Sequence, residues 1–548
     1  MSGLSSLDWA VIGLYFLGLA AVVWWSARKQ KSSEDYFLAG RNIGWFVIGA
    51  SLFASNIGSE HIVGLAGSGA KSGVAMAHYE LHAWCLLVLG WVLVPFYSRS
   101  AVFTMPEFLE RRYNATARWI LSVVSLIAYV FTKVSVTVYA GGVVFQTLLP
   151  ELVIGQVDAF WIGAFTIVIL TGIYTVFGGL RAVVYTDALQ AVVLIIGSLS
   201  ITTIGLINLG GWGELRELAG NEHFNMWRPA SDPDFPWAGM LFGAPIVGLW
   251  YWCTDQYIVQ RTLAARNLTQ ARRGTIFGAY LKLTPVFLFI IPGIIAYALA
   301  KSGRIELESP DMAFPVLVQT LLPAGLRGLV VGGLLAALMS SLSSLFNSCS
   351  TLFTVDIYEK LHPTASERTL VSVGRVATGV VVVLGIIWIP VMKLISGALY
   401  EYLQSVQAYL APPITAVFFF GVFYKRVNAY GAVAGLISGF ILGMAKMFVQ
   451  IIAGLEGASD WMPGLLMTFG QFNFLYFCIV LFVFSVIVTI GVSLLTPKPS
   501  EEQIRSLTYA TVTGEDKQSL RESWTKWDVI NTAIILLIIL GVYIYFTG

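Results

Sequence analysis

Ala337, Ser340, Ser341 and Ser344 stand at i, i+3, i+4 and i+7 in "LAALMSSLSSLFNSCS" (335–350). A helix would set them along one face, with Ser343 on the neighbouring strip. Hydroxyls and unwound carbonyls are oxygen ligands that suit a hard cation such as sodium without burying net negative charge. The same spacing also suits helix packing, because small residues allow close approach and serine can bond back to its own turn. Spacing leaves both readings open. Two further apolar stretches carry polar interruptions, "FASNIGSEH" (53–61) and "PIVGLWYWCTDQ" (245–256). A polar group in the middle of a bilayer costs free energy unless something satisfies it. Discontinuous helices satisfy such groups by turning carbonyls and side chains toward ions or solute. Gly58 and Gly248 are the expected points of unwinding.

Charged and amide side chains within apolar stretches narrow the chemistry: Glu80 in "HYELHAW", Asp187 in "VVYTDALQ", Lys282 in "AYLKLTP", and Glu401 and Gln404 in "YEYLQSVQ". Carboxylate, ammonium and amide groups each make several hydrogen bonds, which matches a polyhydroxyl ligand. Neighbouring Tyr and Trp could stack on a sugar ring. A structural ion pair is the competing reading for Lys282 and Glu80. Lys133 reads as a snorkelling or structurally paired lysine, and His61 on its own as a hydrogen-bonded core histidine.

The elements that must carry these residues are membrane spans. Of 548 residues, 57% are hydrophobic and only 12% charged, with mean hydropathy +0.76; soluble domains carry about 25% charged residues. A net charge of +2 gives no reason to expect a nucleic-acid partner. The four cysteines lie in apolar segments with no zinc spacing. No nucleophile–base pair or phosphate loop is apparent, so an enzyme is not expected.

At about 20 apolar residues per span, fourteen spans are expected: 6–26, 43–68, 74–98, 118–148, 157–178, 182–208, 239–260, 275–300, 314–355, 370–392, 399–424, 428–454, 470–496 and 526–546. No basic region precedes the first, and "ARKQK" follows it, so the N-terminus is expected outside. With that choice, 23 of the 33 Lys and Arg residues fall in cytoplasmic loops, which agrees with both termini outside. The sequons at Asn114 and Asn267 then lie inside and carry no sugar. The polar second and seventh spans are five apart, as in two inverted five-helix repeats. The organisation expected is an extra helix and loop (1–42), repeat one (43–210), an outer loop (211–238), repeat two (239–424) and C-terminal extra helices (425–548).

The motifs themselves resemble the sodium/glucose cotransporters of the sodium:solute symporter family: "EDYFLAGR" (34–41), "ASLFASNIGSEHIVGLAG" (50–67), "TMPEFLERRY" (104–113), "GGLRAVVYTDALQ" (178–190), "LWYWCTDQYIVQR" (249–261), "LMSSLSSLFNSCSTLFTVDIY" (338–358) and "YLAPPITAVFF" (409–419). The resemblance implies the all-α fold of the bacterial leucine transporter, and sodium-coupled uptake of a glucose- or galactose-like hexose by alternating access. It implies a first sodium held by the carbonyls of Ala54, Ile57 and Ala337 and the hydroxyls of Ser340 and Ser341. A second would use Asp187, Ser343 and Ser344; one-sodium relatives have alanine where Ser343 stands. Sugar would meet Asn56, His61, Glu80, Tyr251, Trp252, Lys282 and Gln404. Tyr251 resembles the inner gate, and Leu65, Tyr79 and Tyr400 the outer one.

Departures at Gly248 (Asn or Thr in relatives), Leu81-His82 (Trp-Asn), Glu401 (Asp) and Gln407 (Thr) border the pocket. They leave open inositol, another polyol or an amino sugar, and a sugar-gated conductor or sensor. A bacterial inner membrane is the expected location, because no cysteine falls in an outer loop.

Overall fold

A computed structural model describes residues 4–28, 32–395, 399–454 and 458–548. They are almost wholly helical; among them β-structure is limited to three isolated bridges. The helices follow from long apolar runs stopped by caps. Ser5 and Asp8 form a capping box that starts Ser6–Ala27. The sequon residues Asn114 and Asn267 are N-caps, with side chains accepting from Ala117 N and Gln270 N.

Ten described helices are long and apolar enough to cross a membrane, against fourteen expected spans. The difference has local causes. The expected second span is split in two. The fourth is divided around a wide π-turn at Tyr129–Val134, and the apolar helix of the seventh is short, Gly239–Cys253. The fifth and sixth run on as one 51-residue stretch, Ala159–Leu209. At 1.5 Å per residue that stretch is about 77 Å long, more than twice a hydrocarbon core. It breaks at Gly179, whose φ of 54° and ψ of −164° are non-helical. A Cβ there would lie 2.6 Å from the Tyr36 carbonyl, so both conformation and space call for glycine.

Two further breaks matter for function. The first separates Trp45–Asn56 from Ser59–Ser72 at Ile57 and Gly58. The second separates Ala244–Cys253 from Gln256–Leu263 at Thr254 and Asp255. The second does not fall at Gly248, as the sequence suggested. Gly248 is helical, and its missing side chain serves packing: a Cβ would lie 2.9 Å from His82 Nδ1 and 3.2 Å from Cys85 Sγ. The chain opens instead where the Asp255 side chain caps the next helix. Leu326–Thr351, which carries the serines, is an unbroken helix and is buried along most of its length.

Several arginines counted as loop charges are inside the protein. Arg112, Arg118, Arg261 and Arg272 are all at most 3% exposed. Arg112 ties down the Gly421 and Val427 carbonyls, and Arg118 pairs with Asp356 and Glu110. Asp8 receives the Gly325 and Gly328 amides, Arg304 reaches the Asn208 carbonyl, Lys301 that of Leu218, and Met226 N bonds Phe546 O. These contacts gather the start of the first helix and the end of the last on one face of the molecule.

Candidate solute and cation sites

The first break rewires backbone hydrogen bonds. In a continuous helix Gly58 N would serve the Ala54 carbonyl and His61 N that of Ile57. Here Gly58 N bonds Asn56 O, and His61 N bonds Gly58 O. The Ala54 and Ile57 carbonyls thus lose their helical donors. Between them, Ser55 O accepts from Tyr257 OH and from Ser341 Oγ, the latter at 3.3 Å. The serine helix therefore meets the break through Ser341, on the same face as Ala337 and Ser340. Three oxygens, Ser55 O, Tyr257 Oη and Ser341 Oγ, meet at that point.

Asp187 is fully buried beside that point. Its carboxylate accepts from Ser51 Oγ (2.5 Å), Ser55 Oγ (3.0 Å) and Ser340 Oγ (2.6 Å). Ser344 Oγ is 3.0 Å from Ser55 Oγ, whereas Ser343 Oγ donates to the Ser340 carbonyl at 2.9 Å. Ser340 and Ser341 of the first set implied by the resemblance, and Asp187, Ser343 and Ser344 of the second, thus lie in one hydrogen-bonded cluster, with Ser340 on Asp187. Ser51, Ser55 and Arg261 belong to this cluster too, and sequence reasoning missed them. The signal for the first two was the i, i+4 spacing of Ser51 and Ser55 on one face.

A cavity lies beside the break, with Ser341 in its wall. Asn56, His61, Glu80 and Lys282 line it together with Tyr251, Trp252 and Gln404, so all seven residues expected at the solute share one cavity. Lys282 Nζ donates to Glu80 Oε2 (2.6 Å) and Asn56 Oδ1 (2.9 Å) and lies 5.5 Å from the Trp252 ring centre. Asn56 Nδ2 is 3.3 Å from both His61 Nε2 and Tyr251 OH. Lys282 and Glu80 are therefore an ion pair and cavity walls at once. Glu80 Oε1 and Tyr79 OH are buried with no hydrogen-bond partner among the described residues, and both residues face the cavity. An acceptor and a hydroxyl left unsatisfied are what a polyhydroxyl ligand would pair with.

Of the gate residues, Tyr79 and Tyr251 line the cavity. Leu65 is fully buried in the apolar core and is not part of the lining. The Tyr400 and Glu401 side chains lie outside the described residues. Lys133, given no role by the sequence, also lines the cavity. It pairs with Asp255 at 2.6 Å and sits within about 5 Å of the Tyr129, Trp250, Tyr251 and Tyr257 rings.

Known proteins resemble this chain across its length. A sequence profile of the sodium:solute symporter family matches residues 36–439. Sodium/myo-inositol cotransporter 2 of Homo sapiens is 41% identical over 546 residues, covering 93% of this chain and 79% of that one. Sodium/glucose cotransporter 4 of Danio rerio is 38% identical, covering 95% and 84%. Sodium/glucose cotransporter 1 of Oryctolagus cuniculus is 40% identical, covering 90% and 79%. Among solved structures, a substrate-bound, outward-open Na+-coupled sialic acid symporter matches with a TM-score of 0.75 at 21% identity, covering 90% of this chain and 98% of that one; at that identity the likeness speaks for the fold.

Proposed function

Because the chain belongs to the sodium:solute symporter family, and so is a sodium-coupled membrane transporter and not an enzyme, we propose that its solute is a glucose- or galactose-like hexose carried inward with two sodium ions. The observation that carries this reading is the Lys282–Glu80–Asn56 cluster. It offers a cation, an open carboxylate oxygen and an amide to a ligand rich in hydroxyls.

In this reading the first ion binds the Ala54, Ile57 and Ala337 carbonyls with Ser340 and Ser341. That fixes the first break against the serine helix and orders Asn56 and His61 for solute. The second ion uses Asp187, Ser343 and Ser344. Solute binding closes the outer side through Tyr79, Leu65 and Tyr400. Two inverted repeats, 43–210 and 239–424, then rock so that Tyr251 opens the inner side. The face bearing both chain ends is the outer one, and a bacterial inner membrane is the proposed location.

A second reading, myo-inositol, is favoured by one observation: a relative named as a sodium/myo-inositol cotransporter is 41% identical over 93% of the chain. An inositol, like a pyranose, presents a six-membered ring bearing several hydroxyls to the same groups. Proteoliposomes with an inward sodium gradient, challenged with labelled glucose, galactose, myo-inositol and an amino sugar, separate these. Concentrative uptake of a hexose supports the first reading, and uptake of inositol alone replaces it. Solute-evoked current without accumulation would reject symport.

A further inference from the structure

The Asp187 carboxylate already has a cation beside it. Arg261 is fully buried and reaches Asp187 from the Gln256–Leu263 helix, which starts just past the second break. Its Nη2 lies 3.6 Å from Asp187 Oδ2 and donates to Ser344 Oγ. Its Nε donates to Ser51 Oγ at 3.2 Å, and Nη1 to the carbonyl of Tyr257. The guanidinium thus holds both the carboxylate and a hydroxyl that a second sodium would need.

Charge balance decides what this means. One carboxylate and one guanidinium make a neutral buried cluster. A sodium ion added to it would leave an uncompensated positive charge in a desolvated site, which is strongly unfavourable. With the guanidinium withdrawn, the same carboxylate keeps the hydroxyls of Ser51 and Ser55 beside it, and the Ser344 hydroxyl is released. That is an all-oxygen set which one sodium ion makes neutral again. The two cations therefore exclude each other.

We infer that Arg261 is a tethered counter-ion that competes with sodium for Asp187, so that an ion binds there only when the guanidinium withdraws. The inference rests on sodium coupling but not on which solute is carried. It also ties the ion to the second break. Arg261 shares its short helix with Tyr257, whose hydroxyl bonds Ser55 O at the first break. Withdrawal of Arg261 therefore pulls on the contact between the two breaks. Arg261 is a positioning residue in this scheme.

Equilibrium binding of radioactive sodium to the purified full chain in detergent, without solute, tests it. Arg261→Gln should tighten sodium binding at the Asp187-dependent site at least tenfold, and adding Asp187→Asn should abolish the gain. Arg261→Lys keeps the charge but loses the fork that spans Ser344, Ser51 and Tyr257. It should give a smaller shift in the same direction, and it carries the test if the glutamine variant does not fold. A purely structural arginine would give unchanged or weaker sodium binding in folded variants, and that result overturns the inference, as does a gain that survives Asp187→Asn. Absence of any sodium binding in the wild-type chain would instead overturn coupled transport itself.

Discussion

The ring of His82 stands where a side chain at Gly248 would begin: an ideal Cβ on Gly248 lies 2.9 Å from His82 Nδ1. Both residues line the solute cavity. The two positions are coupled in space: a side chain at 248 requires the imidazole at 82 to shift. Gly248→Ala should therefore displace His82 and lower solute affinity about tenfold or more, with sodium affinity unchanged. Gly248→Ala combined with His82→Ala should recover part of the loss. Solute titrations of sodium-driven uptake measure both, and an alanine at 248 with wild-type affinity would show that the ring is easily moved.

The Lys133–Asp255 pair predicts a stability effect that breaking and removing it would distinguish. Removing one partner of a buried pair costs about 3–5 kcal/mol, because the other charge is stranded. Lys133→Met should destabilise the protein by that order, while Lys133→Met with Asp255→Asn should cost much less. Asparagine can still cap the Gln256–Leu263 helix, so the double variant keeps the break. Unfolding in detergent across the four proteins gives the coupling energy. Additive losses would mean that the two residues act independently.

Much of this arrangement was legible in the sequence because it is written in spacing. The serine face, the interruption at 53–61 and the intramembrane Glu80, Lys282 and Gln404 each follow from residue type and helical period. What stayed hidden depends on contacts between distant segments. Gly248 reads as a hinge by composition, but tertiary packing makes it a gap for His82, and the helix opens seven residues later at a capping aspartate. Arg261 reads as a loop charge, since only the fold shows that the chain re-enters the protein beside Asp187. Lys133 reads as a snorkelling or structurally paired lysine, and only the fold names the partner, Asp255, and brings four aromatic rings around it.

His223 gives a pH prediction on the face that bears the chain ends. Its ring stacks on Tyr297, with centroids 4.1 Å apart, and its Nε2 meets the Ala70 carbonyl at 3.3 Å. Burial holds its pKa below the usual 6.5, and the Ala70 carbonyl offsets this only in part. The folded value lies below the unfolded one, so the unfolded chain takes up the proton first as pH falls. The stability contributed is full above about 6.5 and is lost as pH drops toward the folded value. The unfolding temperature should therefore fall as the pH drops below about 6.5, and His223→Gln should flatten that slope. An identical slope in the variant would place the titration elsewhere.

Ser341→Ala should separate ion from solute. Its hydroxyl reaches Ser55 O at the first break, 3.3 Å away, and loss of one such oxygen should weaken sodium activation about tenfold. The order of preference among solutes should stay the same, because Lys282, Glu80 and Asn56 are untouched. Gln404→Ala should do the reverse, lowering solute affinity while sodium affinity holds. Unchanged sodium activation in Ser341→Ala would remove this serine from the ion site.

Ion number sets how steep a solute gradient the transporter can hold, and Ser343 is where this can be tested. One charge moved through 100 mV is worth about 2.3 kcal/mol, and a tenfold sodium gradient adds about 1.4 kcal/mol. Two ions together supply roughly 7 kcal/mol, enough for about a 10⁵-fold solute gradient, and one ion only about 500-fold. The Ser343 hydroxyl donates to the Ser340 carbonyl, one turn from the Asp187 carboxylate that Ser340 bonds. Donating to that carbonyl leaves the lone pairs of the Ser343 oxygen available to a second ion. Ser343→Ala removes that oxygen and leaves the Ser340 hydroxyl on Asp187, so in the proposed scheme the ratio should fall from two toward one. Reversal potentials in proteoliposomes at several sodium gradients read the ratio directly. A variant that still couples two ions would show that Ser343 is not needed, and a wild-type ratio of one would end the two-ion scheme.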